Sequence, residues 1–99
     1  MARLIEFSRR STIQLQKILS FYDERNGSDD YSRHLLSCLM EEINRVVIMP
    51  TASCPSTRDD VRFFYVMDFV VVFRYNPRKL TILSIRSTAQ KPLKMYIKK

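Results

Sequence analysis

The spacing of apolar residues changes halfway along the chain, and that change outlines the fold. Ala2 to Phe7 alternates weakly and predicts a short strand. Ser8 or Ser11 can then cap a helix running to about Arg25. Its buried stripe would be Leu15, Ile18, Leu19 and Tyr22, which recur at helical spacing. Asn26-Gly27 ends that helix, since both residues tolerate the left-handed conformation a helix terminus needs. Ser28 is placed to cap a second helix, with Asp29 and Asp30 in the first turn where the helix dipole favours negative charge. Tyr31, Leu35, Cys38, Leu39, Ile43 and Val46 step along one face of it, and Pro50 marks its stop. Two amphipathic helices joined by so short a turn predict an antiparallel hairpin.

Thr51 to Asp60 holds Pro55 and several small polar residues and is read as a loop. Beyond it the period shortens. Val61–Val66, Phe69–Tyr75 and Leu80–Ile85 are strand-length runs rich in β-branched and aromatic residues. Asn76-Pro77-Arg78-Lys79 is a turn, whereas Met67-Asp68 lacks the Gly that a tight hairpin favours. The expected architecture is α+β, in the order β-α-α-β-β-β. A helical hairpin packs on one face of a small antiparallel or mixed sheet, within a single domain spanning residues 1–99.

Composition agrees with a packed core: 45% of the residues are hydrophobic and only one is Gly. The longest apolar run, Phe69 to Phe73, is too short to span a bilayer, so no membrane partner is expected. Arg3 and Glu6 interrupt the apolar stretch at the start, which argues against a secretory leader and makes the cytoplasm the default location. Cys38 and Cys54 are then expected as free thiols. Two cysteines and one histidine without close ligand spacing suggest neither a metal site nor a cofactor. Charge changes the picture most. Residues 1–50 are balanced, with seven cations and seven anions. Residues 51–99 carry ten Lys or Arg against Asp59, Asp60 and Asp68, which accounts for the whole net charge of +7. A basic half points to an acidic or polyanionic partner, because Lys and Arg attract carboxylates and phosphates through a long-range field.

Several segments together resemble a known family. Tyr22-Asp23-Glu24-Arg25-Asn26-Gly27-Ser28, followed by Tyr31-Ser32, resembles the inter-helix segment of the RelE/ParE toxins, particularly a Bacteroides-type subgroup. Val61-Arg62-Phe63-Phe64-Tyr65-Val66 and Phe69-Val70-Val71-Val72-Phe73-Arg74-Tyr75 resemble the central hairpin of that family. Ile82-Leu83-Ser84-Ile85-Arg86-Ser87 through Gln90-Lys91-Pro92 is similar to its closing strand and exit motif, although Arg86 and Ala89 depart from the subgroup's usual residues there. The resemblance implies the toxin of a type II toxin–antitoxin system, neutralised by a cognate antitoxin that wraps it. It implies either of two actions: ParE-like inhibition of DNA gyrase, or RelE-like cleavage of messenger RNA on the ribosome. A basic nucleic-acid-binding module with no toxin role is the alternative from outside the family. The assembly would be a homodimer or a toxin–antitoxin hetero-oligomer.

The residues favour the first action. A metal-independent endoribonuclease must deprotonate a 2′-hydroxyl, stabilise the phosphorane and protonate the leaving oxygen. Where the resemblance implies cationic residues for this work, the chain has Val61, Phe63 and Val70. The basic residues left are Arg62, Arg74 and Arg86, which could share one sheet face, with Tyr96 as a terminal tyrosine. Such a cluster without a good base is a binding surface before it is a nuclease. The candidate partner-binding residues are therefore Arg62, Phe64, Arg74, Arg86, Lys91 and Lys94, with no catalytic residue assigned unless the first three arginines and Tyr96 serve a nuclease. His34 alone in a helix is read as a surface or interface residue. Glu41 and Glu42 point about 100° apart on theirs, and Ser84 and Ser87 lack a neighbouring base.

Overall fold

The computed structural model describes residues 3–88. β1 (Leu4–Phe7) leads into α1 (Arg9–Asn26) and α2 (Asp30–Ile48), and a single 3-10 turn covers Pro50–Ala52. Four strands follow: β2 (Cys54–Pro55), β3 (Val61–Val66), β4 (Phe69–Tyr75) and β5 (Lys79–Ser87). They form one sheet in the order β1-β5-β4-β3-β2. β1 runs parallel to β5 and every other pair is antiparallel, so the sheet is mixed. The expected αα-hairpin on a small sheet is what forms. Two local expectations are corrected. The segment read as a loop contributes a short edge strand, with Cys54 opposite Phe63 and Pro55 opposite Arg62. The second helix is capped at Asp29 instead of Ser28, and the Asp29 carboxylate takes Arg33 Nε at 3.1 Å instead of a backbone amide.

Local chemistry explains the helix boundaries. Ser8 caps α1, its Oγ accepting from the Ser11 amide at 3.1 Å. The Ser11 hydroxyl is fully buried and donates to the carbonyl of Ile82 at 2.9 Å, which ties the start of the helix to β5. Gly27 ends α1 at φ 68°, a left-handed conformation that other residues pay for sterically. Between the helices the Ser32 hydroxyl bridges the carboxylate of Asp23 and the carbonyl of Leu19. Tyr22 and Tyr31 stack at 4.3 Å there. Burial, followed by the neighbouring Tyr22 and then Asp68, raises the Tyr31 phenol above its ordinary pKa.

The main core lies between the helices and one sheet face. α2 supplies Leu35, Leu39, Ile43, Val46 and Val47; the sheet supplies Phe64, Val66, Phe69, Val71, Phe73, Leu80, Ile82 and Ile85. The α1 stripe of Leu15, Ile18, Leu19 and Tyr22 packs against this core while keeping part of its surface. A register shift between Val72 and Phe73 reconciles β5 with this arrangement. Val72 pairs with Ser84 and Phe73 with Ile82, leaving Leu83 without a partner. The extra residue reverses the alternation, so Ile82 and Ile85 face the same side although they are an odd number of residues apart.

The β3–β4 turn forms without glycine, and Met67 takes a φ of 52° there. A side chain in that region costs roughly 1–2 kcal/mol, and Asn tolerates it better than Met. Met67 is 38% exposed, so little packing would be lost on replacement. Met67→Asn is therefore expected to raise the thermal midpoint by a few degrees, at about 4–8 °C per kcal/mol for a domain of this size. A lowered midpoint in a melting scan would show that the turn is not strained.

Candidate partner-binding face

Register decides which residues share the sheet face that the helices leave uncovered. Paired residues on adjacent strands point the same way. Val61 opposes Arg74, Phe63 opposes Val72, and Tyr65 opposes Val70; on the other side of β4, Val70 opposes Arg86, Val72 opposes Ser84, and Arg74 opposes Thr81. Val61, Phe63, Val70 and Val72 form a second apolar cluster, each between 1% and 6% exposed, with Cys54 and Leu83 packed against it. Phe63 and Tyr65 meet edge-on at 5.7 Å, and Tyr65 is 55% exposed.

The three arginines expected to gather do not gather. Arg62 opposes Phe73 and so points to the helix side. Its guanidinium is tied to the turn after α2, with Nη2 donating to the carbonyls of Ser53 (2.5 Å) and Thr51 (3.3 Å), and Nε to Ser53 Oγ (3.1 Å). It is a clamp on the chain's own backbone. Arg74 and Arg86 do share the helix-free face, but they sit at opposite ends of β4. Four residues of strand, Val70 to Arg74, separate their positions by roughly 13 Å. Phe64 is also corrected: its ring is 3% exposed, lies in the helix-side core and tilts against Phe73 at 5.9 Å. Lys91, Lys94 and Tyr96 lie outside the described residues.

Arg74 is exposed and makes no hydrogen bond or ion pair among the described residues. It lines a polar cleft of about 440 Å³ with Glu6, Asp60, Tyr75, Asn76, Lys79 and Thr81. The two carboxylates in that cleft are already engaged, Glu6 by Lys79 at 3.4 Å and Asp60 by Arg58 at 3.3 Å. Arg74 therefore remains an exposed cation whose donors are open to a partner. At the centre of the face Ser84 is 3% exposed, and its Oγ has no hydrogen-bond partner among the described residues. Sequence reasoning did not separate Tyr65 from the other strand aromatics and weighed Ser84 only as a nucleophile. Nothing local marks either, because their orientation depends on a register and a bulge set by residues elsewhere.

Among the described residues no three potential metal ligands cluster, and no helix is long and apolar enough to cross a membrane. Cys38 and Cys54 are unbridged, with Cys38 Sγ 3.8 Å from His34 Nε2.

A helical hairpin laid over one face of a five-stranded mixed sheet in this order is the RelE/ParE-like fold. Among solved structures, a chain of the chromosomal ParDE toxin–antitoxin (TA) system from P. aeruginosa superposes with a TM-score of 0.69. The two are 17% identical, and the match covers 87% of this chain and 96% of that one. No family model matches the chain, and no curated protein matches it.

Proposed function

We propose that the chain is the toxin of a type II toxin–antitoxin pair, held inactive by a cognate antitoxin, and that it acts in the cytoplasm as a ParE-like inhibitor of DNA gyrase without hydrolysing nucleic acid. The fold shared with a chain of a ParDE system supports the first part. One observation carries the second: the centre of the helix-free face is apolar, built from Val61, Phe63, Val70 and Val72. A metal-independent ribonuclease needs several cationic donors around one phosphate, and losing a single such donor typically costs about 2.7–4 kcal/mol of transition-state stabilisation. Here Arg62 is bound to its own backbone, while Arg74 and Arg86 stand at the two ends of a strand. The middle of this face is closed within the chain, and what it offers outward is exposed Tyr65 and Arg74, which suits contact with a protein partner better than cleavage of a phosphodiester.

Purified chain added to gyrase is expected to suppress supercoiling and to accumulate cleaved DNA. Primer extension on messages from expressing cells should show no codon-phased cuts. Cuts that vanish in Arg74→Ala or Tyr96→Phe would overturn the reading in favour of the ribosome-dependent nuclease. An absence of both effects would overturn the gyrase reading and leave an inactive or retargeted member of the toxin family.

A further inference from the structure

The two helices are not equally covered. α2 buries six residues, whereas α1 buries only Ser11. The outward side of α1 carries two large apolar side chains, Ile13 at 43% and Phe21 at 53% exposure. The Phe21 ring is held in place, edge-on to Tyr22 at 5.0 Å and with the Arg25 guanidinium 5.9 Å from its centre. Apolar side chains exposed together among polar ones mark a contact surface. The stripe around them is regular. Arg9, Ile13, Gln16, Ser20 and Glu24 follow at steps of four, three, four and four residues, which keeps them on one side of a helix. All five are exposed. Its ends carry opposite charges about 22 Å apart, from the rise of an α-helix. Neither Arg9 nor Glu24 makes an ion pair among the described residues.

This stripe complements itself. Turned end for end about a twofold axis, a second stripe sets Glu24 beside Arg9, Ser20 beside Ile13, and Gln16 near the axis. Each end then holds a pair of opposite charges, and each Ile13 meets a small side chain that lets the helices approach closely. The net charge of +7 opposes such a contact least on the helical side, because residues 1–50 hold seven cations and seven anions and the excess lies in the other half. We infer that the outward face of α1 is an antiparallel self-association surface, occupied by α1 of a second copy of the chain. Arg9 pairs with the partner's Glu24 and Glu24 with the partner's Arg9, while Ile13 seats over the partner's Ser20 and Phe21 flanks that contact. The helices lie across the sheet from Tyr65 and Arg74, so both copies keep the helix-free face open. The inference does not depend on the toxin reading.

The test is analytical ultracentrifugation of the purified full chain at low salt, over concentrations that bracket the expected affinity. One helix pair makes an interface at the small, transient end of the range, so a dimer with a Kd of about 10–100 µM is expected. Ile13→Glu should weaken it at least about tenfold by putting a carboxylate into the apolar contact. Arg9→Glu and Glu24→Arg should each weaken it roughly tenfold, and the double swap should return it to within about threefold of the parent, because the pair is restored with its signs exchanged. Both charge changes suit the helix dipole, an anion in the first turn and a cation in the last, so folding is not what they disturb. They also move the net charge in opposite directions, and simple repulsion between copies would make Arg9→Glu associate more tightly. A chain that stays monomeric throughout would overturn the inference and leave the face to a different protein. A dimer indifferent to Ile13→Glu, one tightened by Arg9→Glu, or one not rescued by the double swap would overturn it as well. Gyrase assays on the same variants are separate, and their outcome bears only on the toxin reading.

Discussion

Phe73→Ala is expected to unfold a large fraction of the protein at physiological temperature, while Arg74→Ala, one residue later, should leave its stability within about 0.5 kcal/mol. Phe73 is fully buried at the centre of β4, with ring contacts to Phe64 at 5.9 Å and Tyr75 at 6.2 Å. Deleting such a ring removes its transfer free energy and leaves a cavity that the sheet cannot close, at a cost of about 3–5 kcal/mol. A domain of this size has about 5–15 kcal/mol in total, so the loss is a major share of it. The midpoint should fall by roughly 12–40 °C. Arg74 points to the opposite face, is exposed, and makes no hydrogen bond or ion pair among the described residues. Denaturant melts of the two variants, measured side by side, check the sheet's phase. Comparable losses would mean that β4 is not oriented as described.

That phase is where sequence reasoning reached its limit. The two helices were legible because their boundaries rest on local chemistry: a serine cap, a left-handed Asn26-Gly27 terminus and a proline after the second helix. The strands were legible as strands but not as faces. β3 carries Val61, Phe63, Phe64 and Val66, so both alternation phases are apolar, and only pairing with β4 shows that Phe64 belongs to the main core and Phe63 to the smaller cluster. Arg62 read as a free cation because its acceptors, the carbonyls of Thr51 and Ser53, come from a turn whose path the sequence leaves open. Arg3 is the extreme case. Its two acceptors lie 44 and 73 residues away, so no local pattern predicts that this arginine abandons the edge strand it would otherwise guard.

The register shift in β5 leads to a second large effect. By placing Leu83 outside the pairing, it puts Ser84 on the helix-free face opposite Val72 instead of continuing the alternation of Leu80 and Ile82. Ser84 is 3% exposed, and its Oγ is buried without a hydrogen-bond partner among the described residues. A buried hydroxyl in that condition costs about 1–3 kcal/mol relative to a state in which it is hydrated or bonded. Removing it is therefore expected to help the isolated chain: Ser84→Ala should raise stability by up to about that amount, less what is lost to the small gap the oxygen vacates. The sign is opposite to that of most core truncations, which makes the measurement decisive. If the variant is more stable alone but binds the antitoxin or gyrase of the proposed function more weakly, the hydroxyl is kept for a donor or acceptor on that partner. That outcome would identify the middle of the face, as well as its charged ends, as part of the contact. If Ser84→Ala is instead less stable as an isolated chain, the hydroxyl already has a partner within the protein, and its burial reflects packing alone.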